Sequence, residues 1–144
     1  MLATGAVGVL VVVVVLAMVS FRVEVLQWWF PGDVGRIQGK WKVVSFKSHG
    51  RYKKKYDCVF FEGKTFSILE HDGDEGSGVY HLEENHKPGW IDLFEKDDDE
   101  PRRGIYEVKG DTLRICHGNR ARKRSTMFES KPGSPDDLWV LQRE

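Results

Sequence analysis

The sequence predicts an all-β fold, a small antiparallel barrel of about eight strands, preceded by one N-terminal transmembrane helix. Three observations carry this. Short apolar or alternating runs recur at close spacing from Trp41 to Arg143, broken by glycines and charges, which is the pattern of successive half-buried strands. Beyond residue 32 the chain has a single alanine, Ala121, where a helical domain would use that residue freely. The run from Leu2 to Val19 carries no charge at all.

The chain has 144 residues and equal numbers of acids and bases, 22 of each. These are unevenly placed. Residues 1–32 hold 23 hydrophobic residues and only two charges, Arg22 and Glu24. Leu2–Val19 as a helix is roughly 27 Å long, and with Ser20 and Phe21 it reaches the roughly 20 residues of a membrane span. Trp28, Trp29 and Phe30 suit a membrane–water boundary, and Pro31-Gly32 ends any helix. Residues 1–21 thus read as a membrane anchor, with a signal peptide as the alternative, although no Lys or Arg precedes the apolar run. Residues 22–35 form an interfacial linker and 36–144 the barrel domain. Positive charge follows the span at Arg22, Arg36 and Lys40, favouring a cytoplasmic domain; a signal peptide would mean export.

The strands follow in order. In Trp41–Phe46, Trp41 and Val43 share one face while Val44 and Phe46 share the other. This predicts either a bulge near Val43 or a strand buried on both faces. Cys58–Phe61 and Thr65–Leu69 flank the turn Glu62-Gly63-Lys64. Val79–Glu83 and Trp90–Phe94 flank a turn over Asn85–Gly89. Ile105–Val108 and Thr112–Cys116 form a hairpin across Lys109-Gly110-Asp111. Thr126–Glu129 and Leu138–Arg143 are the last two predicted strands. Consecutive antiparallel strands with hairpin-length links close most economically into an up-and-down barrel or a sandwich.

Four stretches carry a resemblance. They are Gln38–Phe46, Gly104–Cys116, Phe128–Ser134 and Leu138–Glu144. The first contains Gly39-Lys40-Trp41, a Gly-x-Trp signature like that opening the first strand of lipocalin-type barrels. Together the four resemble a family of uncharacterised lipocalin-like proteins abundant in planctomycetes, over nearly all of residues 36–144. The resemblance implies a small barrel with no known catalytic activity and no known ligand. It also implies that Gly39, Trp41 and Arg143 form a structural signature, with the Arg143 guanidinium over the Trp41 indole at the closed end. Relatives tend to carry a longer, often helical segment where this chain has the short basic connection Lys47–Asp57.

Sites of chemistry are sparse. Asp72-Gly73-Asp74 opens like a calcium loop and Glu83 stands at the twelfth position, but Gly76 and Ser77 break the ligand pattern, so the stretch reads as a solvated hairpin loop. His81 and Glu83 share a strand face without a recognised metal-ligand spacing. Cys58 and Cys116 read as two independent half-buried thiols rather than a disulfide. Asp97–Glu100 reads as a solvated loop. No catalytic, metal or cofactor site is predicted, and zero net charge argues against nucleic acid. The basic clusters Arg51–Lys55 and Arg120–Arg124 read as ordinary solvated turns, with contact to anionic lipid as the alternative if the domain is cytoplasmic. The expected function is a membrane-anchored, non-enzymatic binding module. Phe60, Phe66, Trp90, Phe94 and Tyr106 would line the interior around a small apolar ligand. The alternative is a structural or protein-interaction domain with a filled barrel. Composition leaves the oligomeric state open.

Overall fold

The computed structural model describes residues 30–119 and 123–144. The anchor at 1–21 and most of the linker lie outside the described residues, as do Arg120 and Arg122 of the second basic cluster. Among the described residues, no helix is long and apolar enough to cross a membrane.

One short helix, α1 (Asp33–Ile37), precedes nine strands: β1 (Gly39–Ser48), β2 (Arg51–Tyr52), β3 (Tyr56–Glu62), β4 (Thr65–Glu70), β5 (Glu75–Glu83), β6 (Gly89–Glu95), β7 (Arg102–Lys109), β8 (Thr112–His117) and β9 (Asp137–Arg143). All pairings are antiparallel, and β1 pairs with β9 as well as with β3. Eight strands, β1 and β3–β9, therefore close on themselves, and β2 is an extra strand hung on the upper part of β1. Closure satisfies the edge hydrogen bonds that an open sheet would leave bare.

The two-sided pattern of β1 is resolved by a bulge. Val43 faces Leu141, but the next paired residue, Ser45, faces Val140, so Val44 has no partner in the β9 ladder. Trp41 and Val43 pack inward before the bulge, and Phe46 packs inward after it. Val44 is left on the outside, 56% exposed. One inserted residue thus lets a single strand supply the core at both ends of the barrel.

The interior is filled by one core that includes Trp41, Phe61, Phe66, Tyr80, Ile91, Tyr106, Leu113, Trp139 and Leu141. Helix α1 plugs one end, where Ile37 is fully buried. The helix was not expected, because five residues between Gly32 and Gln38 are too few to show a helical period.

Thr126–Glu129 corrects the strand expected there: it is irregular, because β8 and β9 pair directly and leave no slot between them. Residues 123–136 cross the outside of the barrel instead. Cys116 faces out from β8 yet is fully buried, and its Sγ donates to the Glu129 carbonyl at 3.5 Å. Arg124, read from sequence as a solvated cation, is the staple of this crossing. It donates to the carbonyls of Ile91 (3.2 Å) and Gly104 (2.8 Å) and pairs with Asp92 at 2.7 Å.

Gly104 faces the barrel interior on β7, paired with His117 of β8. A Cβ there would stand 2.3 Å from the Cys116 carbonyl oxygen and 3.0 Å from the His117 Cα. Both obstacles are backbone, so the strands must separate. Gly104→Ala is expected to destabilise the fold by about 1–3 kcal/mol, the usual cost of overpacking, read as a lowered denaturant midpoint with an unchanged slope.

Candidate functional site: the two ends of the barrel

At the plugged end, Trp41 is fully buried and its indole N–H donates to the Ile37 carbonyl at 2.8 Å. Trp41 and Arg143 are register partners on β1 and β9, and the guanidinium carbon lies 4.3 Å from the ring centroid. The same guanidinium donates to the Gln38 carbonyl at 2.7 Å and to the Arg36 carbonyl. Gly39 connects helix to strand at φ 110°, in the region that favours glycine. Fully buried Gln38 accepts the Gly63 N–H at 2.7 Å and donates to the carbonyls of Val34 and Gly63. Its amide also reaches the Tyr80 hydroxyl at 2.9 Å, which donates to Gly63 at 2.6 Å. Burial pushes the Tyr80 phenol up to about 12. The Tyr106 hydroxyl donates to Asp33 at 2.6 Å, tying the plug to β7. Among the described residues, this end is closed by hydrogen bonds.

The opposite end is a mouth. Antiparallel alternation brings the first residues of β3, β7 and β9 and the last of β6 and β8 to one rim: Tyr56, Arg102, Asp137, Glu95 and His117. Beneath them lies a cavity of about 50 Å³ whose floor includes Val59, Phe61, Phe66, Ile115 and Leu141. Arg102 Nε stands 2.9 Å from Glu95 Oε1. Tyr56, Phe46 and Trp139 cluster with ring centroids 4.5 to 4.9 Å apart.

His117 is the buried polar residue of this rim. Trp139 Nε1 can only donate, so its 3.0 Å contact makes His117 Nε2 the acceptor. The proton then sits on Nδ1, 3.1 Å from the Gly118 carbonyl. Burial holds the imidazole below its ordinary 6.5, helped by Arg102 and opposed by the Gly118 carbonyl and Asp137. No ligand-type spacing surrounds this histidine in the sequence; a lone His closing a strand gave no signal.

The expected lining divides between the two faces. Phe66 and Tyr106 point into the core. Phe60, Trp90 and Phe94 do not, and this corrects the reading that they line the interior. Phe60 alternates with the inward Val59 and Phe61 and is 37% exposed. In β6 the inward positions go to Ile91 and Leu93, which puts Trp90 and Phe94 outside with Asp92. Trp90 carries the Arg124 guanidinium 4.5 Å from its centroid and the His86 ring stacked at 3.4 Å.

The remaining candidates are scattered. Glu83 ends β5, whereas Asp72 and Asp74 precede its start, so the twelve-residue calcium spacing spans a strand rather than a loop. The carboxylates near those aspartates come from Glu70 instead. Cys58 and Cys116 are both free and buried, and burial raises both thiols. Arg51 and Tyr52 form β2 at the mouth. No protein-family model matches the chain, and comparison with curated proteins and with solved structures returns no match.

Two expectations follow. Arg143→Lys keeps the charge but removes the planar fork that reaches two carbonyls at once, so it is expected to cost about 1–3 kcal/mol in denaturant unfolding. His117 is held neutral in the fold, so its contribution is complete above the ordinary 6.5 and is lost as pH falls from there through the lowered folded value. Melting temperature should therefore drop on acidification below about pH 6.5, and His117→Gln should flatten that part of the profile.

Proposed function

We propose that this chain is a membrane-tethered, non-enzymatic module whose barrel interior is structural and whose outer surface does the binding. The observation that carries the reading is the interior volume. About 50 Å³ remains inside the barrel, against roughly 300 Å³ for the smallest ordinary small-molecule pockets. That is room for a few waters, which the rim's polar groups suit. The aromatic rings expected to line a hollow barrel are either packed in the core, as Phe66 and Tyr106, or turned outward, as Phe60, Trp90 and Phe94. The tether is the uncharged run Leu2–Val19.

A second reading has one observation in its favour. The cavity sits under a polar rim and above an apolar floor, so outward rotation of Tyr56 and Trp139 would lengthen it into a slot for a small apolar ligand. Native mass spectrometry of the full chain released from detergent separates the two. A bare chain is expected. A stoichiometric fatty acid or lipid adduct, lost when Ile115→Trp fills the floor, would replace the first reading with the second.

A further inference from the structure

The outer face of the β5–β6 hairpin gathers two histidines around one carboxylate. His81 and Glu83 stand two residues apart on β5 and so share the outward face. The turn after Glu83 brings His86 back toward them. His81 Nε2 lies 3.7 Å from one oxygen of Glu83, and His86 Nε2 lies 3.4 Å from the other. From the sequence only the His81–Glu83 pair was visible; the third group is added by the turn.

We propose that His81, Glu83 and His86 form a surface site for a borderline divalent transition metal ion, Zn²⁺ or Cu²⁺, completed by water. Two donors on one such ion, each bonded at about 2.0–2.1 Å, stand roughly 3.3 Å apart, close to both observed separations. An imidazole–imidazole–carboxylate set suits these ions and is a poor match for Mg²⁺ or Ca²⁺, which take oxygen. The two imidazoles meet different oxygens of Glu83, and the three ligand atoms do not all lie within 4.8 Å of one another, so the side chains must rotate to close on an ion. They are 63%, 48% and 42% exposed in chain order, which leaves that rotation open without disturbing the core. One ligand is already held: the His86 ring lies flat on Trp90 with planes 5° apart. Trp90 is fixed in turn by Arg124, which is bonded to β6 and β7. Such outer support is what orients a metal-binding imidazole. The acidic trio Glu70, Asp72 and Asp74 offers oxygen alone. The site is independent of whether the barrel interior carries a ligand.

The test uses the full chain in detergent, purified without a histidine tag, titrated with Cu²⁺ under excess Mg²⁺ to occupy all-oxygen sites. Electron paramagnetic resonance should show one tightly held ion per chain with two nitrogen ligands. His81→Gln and His86→Gln should each weaken binding by about tenfold or more. His71→Gln, whose imidazole pairs with Asp57 elsewhere on the barrel, should leave binding unchanged. Zn²⁺ should raise the melting temperature of the parent chain and of neither variant at position 81 or 86. All three positions are exposed, so the variants should fold, which circular dichroism checks directly. A one-nitrogen spectrum, a smaller loss in either histidine variant, or loss of binding in His71→Gln overturns the proposal.

Discussion

The guanidinium of Arg143 is the point on which the closed end depends. It lies against the Trp41 ring, reaches two carbonyls of the chain entering the barrel, and belongs to the last strand. It thereby joins the plug and the first strand, which follow one another in sequence, to the final strand 105 residues beyond Gln38. A cation over an indole in a partly desolvated setting is worth more than the same contact in water. The carbonyl of fully buried Gln38 would otherwise be left short of a donor where water is scarce. The contact agrees with the register of β1 on β9, in which Trp41 and Arg143 are partners.

The filled interior follows from the same geometry. At the closed end the inward Tyr106 donates to Asp33 of the plug, and the inward Tyr80 accepts from Gln38 beside it and donates to Gly63. At the other end the bulge delivers Phe46 to the Tyr56–Trp139 cluster. The space between is narrow enough for Leu93, Ile115 and Leu141 to nearly close. Large side chains placed by hydrogen bonds at both ends leave the middle to aliphatic residues, and a small barrel of this kind is packed rather than hollow.

Most strands were legible because half-buried strands alternate and tight turns separate them. Where the prediction went astray, the cause is local. Thr126-Met127-Phe128 has a strand's composition, but pairing partners are a property of the closed sheet, not of the segment. Arg51-Tyr52 is too short to show any period. Phe60 and Phe61 cannot both face inward, and nothing in a pair of identical residues says which one does; the answer comes from β1, where Trp41 opposes Val59 and sets the parity of β3. Arg124 sits in a run of cations, and its role emerges only when the chain folds back over β6 and β7. His117 is similar: its importance lies in Trp139, 22 residues later and across the sheet.

Strand β1 is ten residues long, with the plug at its foot and the β2 hairpin at its head. At about 3.3 Å per residue that separates the two by roughly 30 Å. The chain comes in at Phe30, against the plugged end. The described chain therefore enters at the base of the barrel, and the cations of Arg51–Lys55 are carried a full barrel length away from that entry. The entry of the chain and the basic hairpin thus stand at opposite ends of the same strand.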